Sequence, residues 1–261
     1  MKEYGEEDLE DAGWLIGQAE RSWVLRTIAL EAAGRGSTCV DVGSLAGAWL
    51  TPLATKVGAG GTVHGIEPLP YFAAHLRFAA MRAALHQIRV HELALTGLAA
   101  RDFATLRVPI GEPWDAALAQ DEESGAPGAD ELAVRTATLD ECVWDAESVS
   151  LIHVDVRRGL GKILEGATDT LVTHRPVVVV QGVRGELTSS VLSRTLSGVG
   201  YVGIELTGAA LQECGYVDSR SSGVFVPLER RGVVADRLRA LSGAVSSSTR
   251  PPASQIEDNG G

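Results

Sequence analysis

The chain has 261 residues, of which 45% are hydrophobic, and its formal net charge is -11. This length and composition suit one α/β domain with a full apolar core. No apolar run reaches the roughly 18 residues that a membrane span requires, and so negative a surface argues against a nucleic-acid partner. The acidic start, MKEYGEEDLEDAG, lacks the order of a signal peptide, so a cytoplasmic protein is expected.

The first part of the chain alternates helical and strand patterns. Apolar periodicity predicts helix over residues 8–35, in an N-terminal segment of residues 1–35. The predicted strands that follow are Thr38–Val42, Thr62–Glu67 and Gln87–Leu93, and the predicted helices run to about Val57 and from Tyr71 to about Leu85. Because parallel strands need crossover connections, this β-α-β-α-β order predicts a parallel sheet.

The middle of the chain is less regular, and the alternation resumes after it. The acidic, turn-rich stretch at residues 110–132 indicates an insertion or lid, in which Trp114 either closes over a substrate or pins the insertion to the core. Strands are predicted at Ala104–Pro109, Val134–Leu139, Val149–Val156, Pro176–Gln181, Tyr201–Leu206 and Val224–Leu228, and helices at Gly161–Thr173 and Leu187–Leu196. We expect one domain over residues 36–241, closed by an antiparallel hairpin, and a disordered tail at 242–261.

The sequence CVDVGSLAGAWL joins the first strand to the next helix. Gly43 and Gly47 bracket a turn in which the missing side chains let the backbone approach a ligand. Asp41 precedes this turn, where a carboxylate would repel a dinucleotide's pyrophosphate but suits the ammonium of a methionyl group. The spacing D-x-G-x-x-x-G also lacks the G-x-G-x-x-G of dinucleotide enzymes. The alternative is a structural turn in which Ser44 caps the helix.

Glu67 ends the second strand, about 20 residues after the glycine turn. A carboxylate at that position can accept hydrogen bonds from both hydroxyls of a ribose diol, whereas a solvated loop glutamate is the alternative. Pro68 then stops the strand. Leu93 and Ala94, at the end of the third strand, would wall an adenine ring. A binding site for S-adenosylmethionine is therefore predicted, formed by Asp41, Gly43, Ser44, Gly47, Glu67, Pro68, Leu93 and Ala94.

Over roughly residues 36–185 the chain resembles the FkbM family of methyltransferases. The matching stretches, in chain order, are VDVGSLAG, IEPLP, VHELAL, TATLDE, LIHVDV, ILEGATDTL and HRPVVVVQG. The resemblance implies a Rossmann-like class I methyltransferase fold, with a seven-stranded, mostly parallel sheet, that binds S-adenosylmethionine. It also implies transfer of a methyl group to a hydroxyl of a small metabolite, such as a polyketide, a sugar or a lipid-linked saccharide, in specialised metabolism.

The fourth strand departs from the K-x-D-x-E-G-x-E pattern of that family. Asp155 is retained and is predicted to lie near the transferred methyl group. His153 stands in place of the lysine, Arg157 and Leu160 replace the two glutamates, and Gln181 replaces the glutamate that ends the fifth strand. Histidine side chains titrate near neutral pH, which makes His153 the best general base of the set. A buried, hydrogen-bonded histidine is the alternative.

These substitutions leave a second hypothesis open. The chain could be a catalytically degenerate protein with a methyltransferase fold that acts as a binding or regulatory partner. A third hypothesis, a nicotinamide-dependent oxidoreductase, is disfavoured by the carboxylate before the glycine turn and by the missing glycine pattern.

The expected partner is a hydroxylated small-molecule acceptor. Arg157 and Arg158 either bind an acidic acceptor or are simply solvated. The three cysteines, Cys39, Cys142 and Cys214, are far apart, and the histidines lack ligand spacing, so no metal is expected. The apolar N-terminal helix leaves a homo-oligomer open.

Overall fold

The computed structural model describes residues 25–97, 102–121, 128–181, 194–207, 210–214, 223–232 and 236. The predictions for residues 8–24, for most of the Leu187–Leu196 helix and for the tail lie outside this part of the chain. Helix α1 covers residues 25–32. None of the helices in the described part has the length and apolarity that crossing a bilayer requires.

The first half of the domain has the alternation that the sequence predicts. Its elements are β1 (Thr38–Val42), α2 (Leu50–Val57), β2 (Thr62–Ile66), α3 (Pro70–Arg82) and β3 (Ile88–His91). The second half contains β4 (Ala94–Leu95), β5 (Phe103–Pro109), β6 (Ala117–Leu118), β7 (Ala129–Ala137), α4 (Leu139–Cys142), β8 (Val149–Asp155), α5 (Leu160–Glu165), α6 (Thr168–Thr173), β9 (Val177–Gln181), α7 (194–198), β10 (Tyr201–Thr207), β11 (Ala210–Cys214) and β12 (Gly223–Pro227). Short 3-10 turns lie at Pro113–Asp115, Ala119–Asp121 and Leu228–Arg230.

The main sheet has the strand order β11-β10-β12-β9-β8-β1-β2-β3. Strands β3, β2, β1, β8 and β9 are parallel, and β12 runs antiparallel between β9 and β10. This arrangement confirms the mostly parallel, seven-stranded sheet with its antiparallel closure. Strand β11 adds an eighth strand at the edge, antiparallel to β10; its sequence, ALQEC, has too little apolar alternation to have been predicted.

Both faces of the sheet are covered, which is why its central strands are almost continuously apolar. One face packs against α1, α2 and α3 through Leu25, Leu53 and Leu76. The other packs against α4, α5 and α6 through residues such as Leu139 and Leu164. Side chains alternate between the two faces along each strand, as the two-residue period of a strand requires.

A second, four-stranded sheet has the order β4-β7-β5-β6. Strands β5 and β7 form its antiparallel centre, with Phe103 opposite Arg135 and Pro109 opposite Ala129. Its inner residues, Leu106, Leu118 and Val134, are buried with Ala94 of β4 and with Leu69, which follows the end of β2. The second sheet is thereby held against the carboxyl edge of the main sheet.

Two expectations for the middle of the chain were wrong in detail. The segment at residues 110–132, expected to be irregular, contains β6 and the start of β7. The helix predicted at Gly161–Thr173 is two helices, and α5 ends before Gly166, which lies so close to Thr96 that a Cβ there would be 2.3 Å from the carbonyl oxygen of Thr96. The start of α6 is capped from another segment, by the carboxylate of Asp140, which accepts from the backbone nitrogen of Thr170 at 2.9 Å. A cap that is distant in sequence leaves no local signal.

Candidate functional site

A cavity opens where β1, β2 and β8 end, between the main sheet and the second sheet. We call the main-sheet side the floor; it consists of Val42, Gly43, Leu45, Ile66, Glu67 and Asp155. The second-sheet side is the roof; it consists of Leu106, Pro113, Trp114, Ala116, Ala117 and Leu118. The carboxyl edge of a parallel sheet is where α/β proteins bind their ligands.

The glycine turn of the floor is packed too tightly for side chains. Gly43 has a φ of 79°, and a Cβ there would lie 2.3 Å from the carbonyl oxygen of Asp155. Gly47 has a φ of 84°, and its Cβ would meet Leu76 at 2.6 Å. Gly43 therefore brings the backbone of β1 against β8 at the cavity, whereas Gly47 lets the turn pack on α3. Each glycine is required by both its conformation and its contacts.

Ser44 does not cap the following helix. Its Oγ donates to the backbone oxygen of Asp41 at 2.9 Å, which closes the turn. Helix α2 begins only at Leu50, and its N-cap residue, Trp49, makes no side-chain capping bond. The structural role expected for Ser44 is thus local to the turn.

Glu67 is fixed by two backbone donors. Its Oε2 accepts from the nitrogen of Leu45 and its Oε1 from the nitrogen of Leu69, both at 2.9 Å. Leu45 has a φ of 43°, in the left-handed region. Burial raises the pKa of Glu67, and the two backbone hydrogen bonds act against this rise. Each carboxylate oxygen keeps a lone pair, so Glu67, which lines the cavity, can accept two further hydrogens there.

Behind the floor lies a buried polar chain that crosses β1, β8 and β9. His153 donates from Nδ1 to Oδ1 of Asp41 at 2.7 Å, and its Nε2 lies 2.8 Å from Oε1 of Gln181. The indole of Trp49 stacks on the imidazole at 3.9 Å. Both Asp41 and His153 are fully buried, and Oδ2 of Asp41 has no hydrogen-bond partner within the described part of the chain. His153 is therefore the buried, hydrogen-bonded histidine that the sequence left open.

Asp155 is the last residue of β8 and lies at the cavity. Its side chain is open to the cavity, while its backbone packs under Gly43. Desolvation by the surrounding protein raises the pKa of Asp155, and His153 and Arg157 act in the opposite direction. A carboxylate with a raised pKa is a better proton acceptor than an ordinary one.

The structure brings most of the sequence-predicted site residues to one cavity. Those that line it are Gly43, Glu67, Pro68, Leu93, Ala94 and Asp155. Those that lie behind it are Asp41, Ser44, Gly47 and His153. The cofactor role of Asp41 stays a prediction, because its carboxylate faces His153 and does not line the cavity.

Sequence reasoning predicted an insertion or lid at residues 110–132 and considered Trp114, but it missed the apolar residues that line the roof beside Trp114. Trp114 is half exposed and lines the cavity, and next to it Asp115 lies 3.6 Å from Nε of Arg157, which ties the roof to the end of β8. Leu106 lies on the predicted strand β5, but the other apolar roof residues lie in or between a 3-10 turn and the two-residue strand β6. Elements that short have no periodicity to read; the available signal was the run PWDAAL, which is apolar within an acidic segment.

Comparison with known proteins identifies the family. The model of the "Methyltransferase FkbM domain" matches residues 41–216. No curated protein gives a significant match to the chain.

Several solved structures are similar to the chain at low identity. A methyltransferase FkbM from Methylobacillus flagellatus is 16% identical, with a TM-score of 0.47 over 73% of this chain and 43% of that one. This chain thus spans less than half the length of that protein. A SAM-dependent methyltransferase from Aquifex aeolicus is 15% identical, with a TM-score of 0.40 over 74% and 83% of the two chains. A SAM-dependent O-methyltransferase from Thermotoga maritima is 12% identical, with a TM-score of 0.39 over 79% and 63%.

The family match covers about two thirds of the chain, from the aspartate before the glycine turn to just beyond β11. It confirms the resemblance to the FkbM family that the glycine turn and the strand ends indicate. The chain belongs to the FkbM methyltransferase domain family.

Proposed function

We propose that the protein is an S-adenosylmethionine-dependent O-methyltransferase that acts on a hydroxyl of a small molecule of specialised metabolism. The observation that carries the proposal is Glu67, a fixed carboxylate at the end of β2 that lines the cavity. Its free lone pairs suit the two hydroxyls of a ribose. Leu93 and Ala94 supply an apolar wall for an adenine.

The polar and apolar parts of the cavity fit such a cofactor. Gly43 lines the cavity at the point where its backbone packs against β8, and the methionyl part of the cofactor would lie along this turn. Asp41, behind the turn, keeps one carboxylate oxygen without a partner and gives this end of the site negative character. A cofactor with an ammonium and a sulfonium is favoured there, whereas a pyrophosphate is not.

S-Adenosylmethionine, when bound, supplies an electrophilic methyl carbon on a sulfonium sulfur, which leaves as a neutral thioether. In-line alignment with the acceptor oxygen supplies much of the rate. Asp155, which is open to the cavity, would take the proton of the acceptor hydroxyl. The roof excludes water from the reacting atoms, and His153 positions Asp41 without touching the reactants.

The cofactor site is tested by calorimetric titration with S-adenosylmethionine and S-adenosylhomocysteine. The variant Glu67→Gln keeps the size of the side chain but removes its charge, so we expect affinity to fall about ten-fold or more, about 1.4 kcal/mol. Glu147→Gln changes an exposed glutamate outside the cavity and is the matched control. No binding of either compound to the wild-type protein would refute the proposal.

The same titration has a pH dependence with a definite sign. The pKa of Glu67 is raised above its ordinary value of 4.5, and only the ionised carboxylate accepts both ribose hydrogens. Cofactor affinity should therefore weaken as the pH falls through this raised pKa, and Glu67→Gln should lose this part of the dependence.

Transfer is tested with isotopically labelled S-adenosylmethionine and a panel of hydroxylated small molecules. Asp155→Asn should lower the transfer rate about 100-fold or more, the lower end of what a general base contributes, while cofactor affinity stays within about two-fold. Cofactor binding without transfer to any member of the panel would instead support the degenerate, partner-binding alternative.

A further inference from the structure

Two arginine side chains line the cavity close to Asp155 in the chain. Arg157 and Arg158 follow Asp155 at the end of β8, and both line the cavity. The negative groups of the lining, Glu67 and Asp155, are on the floor. The other lining residues nearby, from Leu106 to Leu118 on the roof, are apolar or aromatic.

Arg157 is already paired with a carboxylate. Its Nε lies 3.6 Å from Oδ1 of Asp115, and both side chains are about one quarter exposed. The charge of Arg157 also lowers the pKa of Asp155, so the guanidinium lies within electrostatic reach of both carboxylates. Its role is to join roof and floor.

Arg158 has no such partner. Among the residues that the structure describes, none forms an ion pair or hydrogen bond with its side chain. The side chain is exposed and borders the cavity beside Gly159, opposite the apolar roof. A guanidinium beside apolar surface interacts with an anion more strongly than one in open water, because the local dielectric is lower.

We propose that Arg158 binds an anionic group of the methyl acceptor, so that the substrates are hydroxylated small-molecule acids with a carboxylate or a phosphate. This inference rests on the proposed function and adds the substrate class to it. A planar guanidinium pairs with two oxygens of a carboxylate or phosphate at once, which fixes orientation as well as affinity. Arg158 and Asp155 line the same cavity, so an acceptor held by its acid at Arg158 would share that cavity with the proposed base.

The cofactor has a carboxylate of its own, and it is the competing ligand for Arg158. Measuring cofactor affinity and acceptor affinity separately in the same variants shows whether Arg158 binds the cofactor carboxylate or the anion of the acceptor. Arg158→Gln removes the charge, and Arg158→Lys keeps the charge but loses the two-pronged geometry. Arg82→Gln, an exposed arginine on α3 away from the cavity, is the control for the loss of one positive charge.

The first arm titrates S-adenosylhomocysteine into each variant. We expect wild type, Arg158→Gln and Arg82→Gln to bind it within about two-fold of one another. A fall of about ten-fold in Arg158→Gln alone would assign Arg158 to the cofactor carboxylate and overturn the inference, while leaving the proposed function intact. Failure of the wild type to bind would refute the proposed function itself.

The second arm titrates matched pairs of probes into the protein loaded with S-adenosylhomocysteine. The pairs are 4-hydroxybenzoate with its methyl ester, 4-hydroxyphenylacetate with its methyl ester, and glucose 6-phosphate with glucose. At least one acid should bind about ten-fold more tightly than its neutral partner. This preference should fall to about two-fold or less in Arg158→Gln, be intermediate in Arg158→Lys and persist in Arg82→Gln. Equal binding within every pair, no binding of any acid, or a preference that survives in Arg158→Gln would overturn the inference.

Discussion

The floor and the roof of the cavity are built differently. The floor stands on parallel strands that are buried on both faces, and its charged side chains are fixed: Glu67 is 2% exposed and held by two backbone donors, and the Asp41–His153 pair behind it is fully buried. Apart from Leu106 on β5, the roof consists of a 3-10 turn, a two-residue strand and the residue between them, and its Trp114 is 51% exposed.

This difference matches the two tasks of the site. A cofactor is the same molecule in every turnover, so it is best bound by side chains locked in place by packing and hydrogen bonds. In the proposed function, the acceptor is held by the roof and by Arg158 after the end of β8, which are more exposed and tolerate change in sequence. Substitutions in and behind the floor should therefore lower the unfolding free energy far more than equivalent substitutions in the roof.

The largest effect is expected from His153→Leu. It leaves the carboxylate of Asp41 buried with neither oxygen paired, since Oδ2 already lacks a partner. Breaking a buried pair in this way costs about 3 to 5 kcal/mol of unfolding free energy. Urea denaturation measures the loss, with the exposed His75→Leu as the control. A loss under about 1 kcal/mol would mean that the buried chain does not stabilise the floor.

Gly43→Ala should be nearly as severe. The added Cβ meets the carbonyl oxygen of Asp155 at 2.3 Å, and the φ of 79° is itself strained for alanine. Overpacking and backbone strain together cost about 2 to 5 kcal/mol, and cofactor affinity should fall as the turn shifts. Gly60→Ala is the matched control, because a Cβ at Gly60 has nothing within 4 Å. Equal thermal stability of the two variants would contradict the packing argument.

An intermediate effect is expected from the histidine pair on β2 and β3, below the floor. Nδ1 of His64 lies 3.0 Å from Nε2 of His91, and burial lowers the pKa of His64 from 6.5 to about 4. The unfolded chain therefore takes up a proton first as the pH falls, and stability is lost between about pH 6.5 and pH 4, on the order of 2 to 3 kcal/mol. Chemical denaturation across this range should show a shallower loss for His64→Gln. A difference between wild type and variant that does not change with pH would refute this assignment.

The smallest effect is expected in the roof, from Asp115→Asn. Its ion pair with Arg157 is partly exposed and measures 3.6 Å, so removing it should change the unfolding free energy by about 1 kcal/mol or less. The same variant frees Arg157 to compete with Arg158 for an anion, and acid probes should bind no less tightly than to wild type. A loss of unfolding free energy above about 2 kcal/mol would show that the roof is held as firmly as the floor.

Local sequence was sufficient for the floor. Strand β1 and Glu67 were found because a β-branched run, a glycine turn and a carboxylate after the next strand follow one another at readable spacing. Parallel topology then brings the ends of β1, β2 and β8 to one edge, so that the predicted residues Gly43, Glu67 and Asp155 meet in one cavity. Chain order and side-chain period alone determine that much.

The tertiary structure decided what depends on partners far away in the chain. The sequence could not assign His153, since its neighbours Asp41 and Gln181 are 112 and 28 residues away. The break between α5 and α6 depends on packing against Thr96, and the roof depends on short strands that are stable only on the ends of longer ones. The periodicity of apolar residues shows which face of a helix or strand is buried. Side-chain hydrogen bonds, exposure to the cavity and the unpaired charge of Arg158 depend instead on contacts between elements.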